Sequence, residues 1–296
     1  MRRPIIVVFF SLFLVAFQAF ATERGALFKV SSGSNALYLY GTIHAGRPDY
    51  YPLEPRISDA MAAAPTLALE VDTTGNEAAT AAAMFKHGMF PVGTQGLAAL
   101  PAERRARIEA ALKKQGLDPS AVNQLKPWML VAMLAVMEGA KMGYDPRLGV
   151  DAHLAGLARA SGKTRITELE SMDFQTGLFN RMPLDEQWTM LEESLDDVAS
   201  GRQAREAREL FAAYEGADQA ALEKIAKRLE EDNTVSGKFM REVLMVERNG
   251  PMADKVVSLL GREHNAVVAV GLLHLVGKDG VPELLRKRGV KVERVY

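Results

Sequence analysis

Two short segments far apart in the chain carry the same pattern, Gly41-Thr42-Ile43-His44 and Gly271-Leu272-Leu273-His274. Each follows an apolar run, residues 36–40 and 266–270, of the kind that forms a buried strand. A glycine where a strand ends permits a positive φ or a close backbone approach. A histidine three residues further on can then turn back over the edge of the sheet. Loops at the carboxyl ends of sheet strands are where open α/β folds hold their ligands. One Gly-x-x-His is commonplace, whereas two in matching contexts point to a shared site.

Carboxylates occupy similar positions. Glu70 closes the otherwise apolar run 66–71, and a glutamate is almost never buried without a cation or a cluster of donors. Glu168 and Glu170 are two apart in a strand-like segment, which places them on one face with Glu170 at its end. Two histidines with one or two glutamates match the ligands of a divalent ion that keeps one position open for water, and Mn, Co and Zn all accept such nitrogen and oxygen donors. A bound ion lowers the pKa of its water, and a spare glutamate can take the proton. Plainer readings stand beside this one. Glu70 can simply pair with an arginine such as Arg248, and Glu170 can be structural. Asp151 reads as a helix N-cap, and His153, two residues later, lies off its helix face, so the pair is no chelate. His87 and His264 sit in polar contexts without an assigned role. The chain contains no Gly-rich phosphate loop and no Gly-x-Ser-x-Gly elbow.

Composition narrows the chemistry further. The 296 residues are 48% hydrophobic and 25% charged, and 36 Lys+Arg against 37 Asp+Glu leave a formal net charge of −1. That balance gives no nucleic-acid footprint. With no cysteine, thiol nucleophiles, thiolate zinc sites and cysteine-held clusters are excluded. Arg2 and Arg3, an apolar run over 5–17 broken only by Ser11, and Ala19-Phe20-Ala21 read as a signal peptide cut after Ala21. The run is shorter than the ~20 residues that span a bilayer, so the expected product is periplasmic or secreted, with no transmembrane segment after cleavage. An uncleaved N-terminal anchor is the competing reading.

The elements that must position these residues follow from periodicity. Residues 26–30 and 36–40 form a hairpin around 31–35, residues 55–64 a short helix and 66–71 a strand buried on both faces. From 76 to 160 the pattern is helical. One helix over 101–115 ends at Gly116, another over 128–142 carries a Leu/Met stripe that reads as core, and a third over 151–161 ends at Gly162. A strand over 164–170 precedes a second helical block, in which the charged stretch 202–232 reads as an exposed helical pair or lid-like subdomain and Pro251 interrupts or restarts a helix. A strand over 266–270, a loop over 271–280, a helix over 282–288 and a strand over 290–295 complete the chain. The expected fold is α/β (α+β): a central mixed sheet built from N- and C-terminal strands, with helical insertions at about 76–160 and 183–260 forming a cap or subdomain. It forms a single domain over 22–296.

Several of these segments resemble the TraB/GumN proteins. They are Tyr40-Gly41-Thr42-Ile43-His44, Leu69-Glu70-Val71-Asp72, Gly149-Val150-Asp151, Leu169-Glu170, Gln187, Glu247-Arg248-Asn249 and residues 270–280, and the likeness runs over roughly 26–295. That family is related to the Tiki metalloproteases and, more distantly, to erythromycin-esterase-like and ChaN-like proteins. The resemblance implies that His44, Glu70 and His274 bind the metal, beside Gly41 and Gly271, and that Glu70, Glu170, Arg248 and Asn249 serve catalysis. Arg248 would steady a developing oxyanion. Leu272 and Leu273 depart from the small residues common in relatives and narrow the expected pocket. The leading expectation is an exported divalent-metal-dependent hydrolase acting on a peptide or a small ester or amide. The alternatives are a haem- or metal-binding protein without turnover, as among ChaN-like relatives, and a protein that occludes a peptide or envelope-assembly partner through residues 202–232.

Overall fold

The computed structural model describes residues 22–94 and 96–296; the expected signal peptide lies outside them. The described strands are β1 (Ala26–Ser32), β2 (Asn35–Thr42), β3 (Thr66–Leu69), β4 (Arg165–Glu168), β5 (Ala266–Gly271) and β6 (Lys291–Arg294). They form one sheet in the order β4-β3-β5-β2-β1-β6. β4, β3, β5 and β2 are mutually parallel, while β1 runs antiparallel to both β2 and β6. The sheet is therefore mixed, as expected, and β5 from the end of the chain lies between β2 and β3 from its beginning. Every residue of β3 and the first five of β5 are buried, so their continuous apolar runs are those of strands covered on both faces. In the hairpin Ser32 pairs with Asn35, and Gly33 turns with φ of 58°.

Register aligns the ends of these strands. Thr42 of β2 pairs with Gly271 of β5, and Leu69 of β3 faces both Ala269 of β5 and Glu168 of β4. The ladder continues past the strands, since the Glu70 amide donates to the Ala269 carbonyl and the Glu170 amide to the Glu70 carbonyl. Four consecutive parallel strands thus deliver His44, His274, Glu70 and Glu170 to one edge.

The helices contribute two kinds of core. Pro55–Ala63, Val150–Ser161 and Glu247–Leu260 pack with the strands in the main cluster. The middle helices build a core of their own around Ile108, Leu112, Leu130, Leu134, Trp188 and Leu191, so the leucines of the Leu/Met stripe are core, with Met133 partly buried against them. The charged stretch forms the expected helical pair, Arg202–Glu215 and Gln219–Glu231, and it packs on the main core. Phe211, Tyr214, Leu222 and Ile225 are buried in the main cluster, because each helix carries an apolar stripe beneath its charges. The helix Glu247–Leu260 runs through Pro251 instead of breaking there. Proline removes one backbone donor and crowds the preceding turn. Directly upstream, Met240–Val246 is wound as a π-helix, a form that resets the phase of the residues that follow.

The loop after β2 is clamped by a second segment. Gly46 and Asp145 form an isolated antiparallel bridge, and the Val150 amide donates to the Ile43 carbonyl. A Cβ on Gly46 would lie 2.1 Å from the Leu148 carbonyl oxygen, a contact no side-chain movement can relieve. Gly46→Ala is expected to lower unfolding free energy by about 1–3 kcal/mol, read from the urea midpoint, as overpacking against backbone does.

Candidate functional site

Gly271 opens the loop after β5. Its φ is −52°, so no left-handed conformation is required, and a Cβ would meet only ordinary van der Waals contacts; what the glycine does is leave a point among three side chains open. A Cβ there would stand 3.4 Å from Glu70 Oε2, 3.6 Å from His44 Nε2 and 3.6 Å from His274 Cδ2. The point above Gly271 is thus a cradle on which three functional side chains converge. Gly41 has a different task. A Cβ on it would meet Leu272 Cδ1 at 2.6 Å and Leu275 Cδ1 at 3.1 Å, so its bareness admits the leucines of the other motif and it does not line the cavity.

Each histidine is oriented from behind. Asn249 donates through Nδ2 to the Asp279 carbonyl at 2.8 Å, which turns its Oδ1 toward His274 Nδ1 at 2.6 Å. Nδ1 therefore carries the proton and the Nε2 lone pair faces Glu70 Oε2, 3.7 Å away. Burial pushes the His274 pKa down to about 4, so the ring is neutral. His44 Nδ1 lies 3.1 Å from Asp151 Oδ1, and that carboxylate raises the imidazole above its ordinary pKa. The His44 side chain is 67% exposed, so water screens this pair far more than the one around His274.

Glu70 is ionised although it is buried. Its Oε2 accepts from the Gly271 amide at 3.0 Å, and its Oε1 accepts from Gln175 Nε2 at 2.8 Å and from Arg248 Nη2. Burial opposes the charge, but the neighbouring cation, the histidines and the amide donor outweigh it and hold the carboxyl at about 2. With His274 neutral, Arg248 is the permanent cation of this group. The guanidinium also grips Glu170, with Nε 3.0 Å and Nη2 2.7 Å from Oε2, and its Nη1 donates to the Leu244 carbonyl at 3.0 Å. The plain reading of Glu70, a pair with Arg248, is thus realised within the site itself. Arg248 is occupied with two carboxylates, and Glu170, its side chain 6% exposed, stands behind Arg248 and does not line the cavity.

Above the cradle opens a cavity of about 370 Å³. Its floor is His44, Glu70, Gln175, Arg248, Gly271 and His274, and its walls are almost wholly apolar. The Thr42 hydroxyl, at its edge, is buried with no hydrogen-bond partner among the described residues.

Sequence reasoning missed two residues here. Gln175, on the helix Met172–Leu178, bridges Glu70 and Glu170, at 2.8 and 2.9 Å, and only its place five residues past Glu170 hinted at it. Asp151 was expected to be an N-cap, but Gly149 holds that position and Asp151, in the first turn, supports His44 instead. The expected shared face of Glu168 and Glu170 does not form: β4 stops at Glu168, whose Oε1 accepts from the Asp72 amide outside the site. Gln187 serves the helical core, donating to the Phe179 and Met182 carbonyls.

The groups match a divalent ion in kind, as nitrogen and oxygen donors. His44 Nε2, Glu70 Oε2 and the His274 ring edge at Cδ2 surround the Gly271 cradle, with both Nδ1 atoms anchored to a carboxylate or amide, as the unligated nitrogens of metal-binding histidines usually are. Among the described residues no three His, Asp or Glu side chains are drawn to ligating distance of one point. The 3.7 Å between His274 Nε2 and Glu70 Oε2 is slightly wider than the donor spacing around a tetrahedral ion; donors about 2.1 Å from such an ion lie about 3.4 Å apart.

Fold and site together define a class: a mixed α/β sheet whose parallel strands carry two Gly-x-x-His loops and two arginine-bridged glutamates on one edge. The chain belongs to the TraB/PrgY/gumN family, whose sequence profile matches residues 26–294. The uncharacterized protein YbaP of Escherichia coli (strain K12) is 24% identical over 257 residues, covering 86% of this chain and 89% of the relative. The YbaP protein of Shigella flexneri matches with the same identity and coverage. No solved structure gives a significant match.

Removing the cation between the carboxylates tests this arrangement. Arg248→Met is expected to destabilise the fold by about 3–5 kcal/mol in urea unfolding, because it leaves buried charges without a partner. Adding Glu70→Gln and Glu170→Gln should recover most of that loss.

Proposed function

We propose that the protein is an exported, divalent-metal-dependent hydrolase whose substrate is a peptide or a small amide or ester. The convergence of His44, Glu70 and His274 on the Gly271 cradle beneath a cavity carries this reading. His44 Nε2, His274 Nε2 and Glu70 Oε2 are the atoms that would hold the ion. When bound, it supplies the Lewis acidity that polarises a scissile carbonyl. Asp151 and Asn249 hold the Nδ1 atoms of the two histidines in place, so that Nε2 of each ring is left for the cavity side. Arg248 and the Gly271 amide keep Glu70 charged, and Gln175 fixes the spacing of the two carboxylates. Burial of Glu70, Arg248 and His274 strengthens the charge interactions among them, while His44 stays open to solvent. Arg248, engaged by Glu70 and Glu170, acts here as a positioning residue. Export rests on the sequence pattern of residues 1–21.

Elemental mass spectrometry of residues 22–296 is expected to find close to one divalent metal per chain, with hydrolysis of a mixed-sequence fluorogenic peptide library, and to find neither in His44→Ala/His274→Ala. The absence of metal after incubation with Mn, Co or Zn would sink the proposal, as would metal binding with no hydrolysis of peptides, amides or esters. Asn249→Leu and Asp151→Asn should each weaken metal affinity by about 10–100-fold, the usual cost of losing a group that orients a ligand.

A further inference from the structure

The walls of the cavity say more than its floor. Ile43, Phe179, Leu210, Met240, Leu244, Met245 and Leu273 are each only partly buried and all line the same space. They come from separate parts of the chain: the loops after β2 and β5, the turn Phe179–Arg181, the helix Arg202–Glu215 and the π-helix Met240–Val246. Such convergence of incompletely covered apolar side chains forms one contiguous surface, and a cavity of about 370 Å³ is at the small end of those that enclose an organic ligand. Polar substrates gain nothing from it.

The π-helix supplies three of these wall residues and leads directly into Arg248 and Asn249. Its Leu244 carbonyl accepts from Arg248 Nη1 at 3.0 Å, so the wall and the guanidinium between the glutamates are fastened together. Met240 and Met245 add unbranched, polarisable side chains that adapt to different apolar shapes. Phe179 is held rigid from behind by stacking on Trp128, with ring centroids 4.5 Å apart.

We infer that the cavity is a specificity pocket for a bulky aliphatic or aromatic side chain beside the bond to be cut, with the π-helix Met240–Val246 as its adjustable wall. The inference rests on reading this cavity as the hydrolase's substrate site. The Leu273 side chain and the π-helix methionines set the preference, and the His44–Glu70–His274 floor, on the other side of the same cavity, meets the adjoining backbone carbonyl.

Calorimetric titration of the purified protein with N-acetyl-Leu-Leu-amide and N-acetyl-Ser-Ser-amide tests it without requiring turnover. The leucine probe is expected to bind at least about tenfold more tightly, the scale on which apolar pockets discriminate. Met245→Gln and, separately, Leu273→Asn should remove most of that difference while leaving metal content and the urea midpoint close to those of the parent. The variants bracket the cavity from two elements, so a folding defect in one does not decide the matter. Equal affinity for both probes overturns the inference, as does an undiminished leucine preference in both folded variants. If no metal binds but the leucine preference exists and falls in the variants, the hydrolase reading fails while the pocket stands. If metal binds and peptides are cleaved without discrimination, the pocket alone fails.

Discussion

Two carboxylates at the ends of adjacent parallel strands, both nearly shut off from water, cannot coexist in charged form without a cation between them. Arg248 meets that requirement with a single guanidinium that holds Glu170 by two nitrogens and Glu70 by one. Much of the site follows from it. Because Glu70 stays ionised, the Gly271 amide has an acceptor, the β5 loop has a fixed height, and His274 lies within reach of the same oxygen. Because Arg248 must face the sheet edge, the helix that carries it arrives in a phase set by the π-turn before it, and Asn249 then falls beside His274.

The two histidines show how one motif can serve two environments. His274 is enclosed and neutral, its tautomer dictated by an amide whose other end is tied to backbone. His44 stands open to solvent with a carboxylate behind it. Matching sequence fixes where each ring is placed on the sheet, while its proton affinity is decided by partners contributed from other elements, Asn249 and Asp151. The glycines differ too, Gly271 leaving open the point between His44, Glu70 and His274 and Gly41 making room for Leu272 and Leu275.

What was legible in the sequence follows from this division. The strands were readable because uninterrupted apolar runs such as Val267-Val268-Ala269-Val270 have few other uses, and the residues at their ends were readable as neighbours because parallel register must bring such ends together. The residues that do not sit at strand ends were harder to place. Gln175 enters from a short helix whose direction no local pattern encodes. Asp151 has the same side chain whether it caps its helix or supports a histidine, and the two loops are brought together by long-range contacts, the Gly46–Asp145 bridge and the Val150–Ile43 hydrogen bond. The charged helices at 202–232 were legible as a helical pair, but their surface charge is conspicuous, whereas the thin stripe of Phe211, Tyr214, Leu222 and Ile225 that anchors them to the main core is not.

The position of β5 also governs when the site can exist. The strand slots between β2 and β3, so the sheet has a gap at its centre until residues from the last tenth of the chain have joined it. Contacts of such high sequence separation form slowly, since a long loop must close before they are rewarded. A chain still emerging from the ribosome therefore holds its first histidine and Glu70 apart, with neither the cradle nor the second histidine in place. The cradle at this edge is a property of the finished polypeptide alone, and the order of synthesis itself keeps it unbuilt until then.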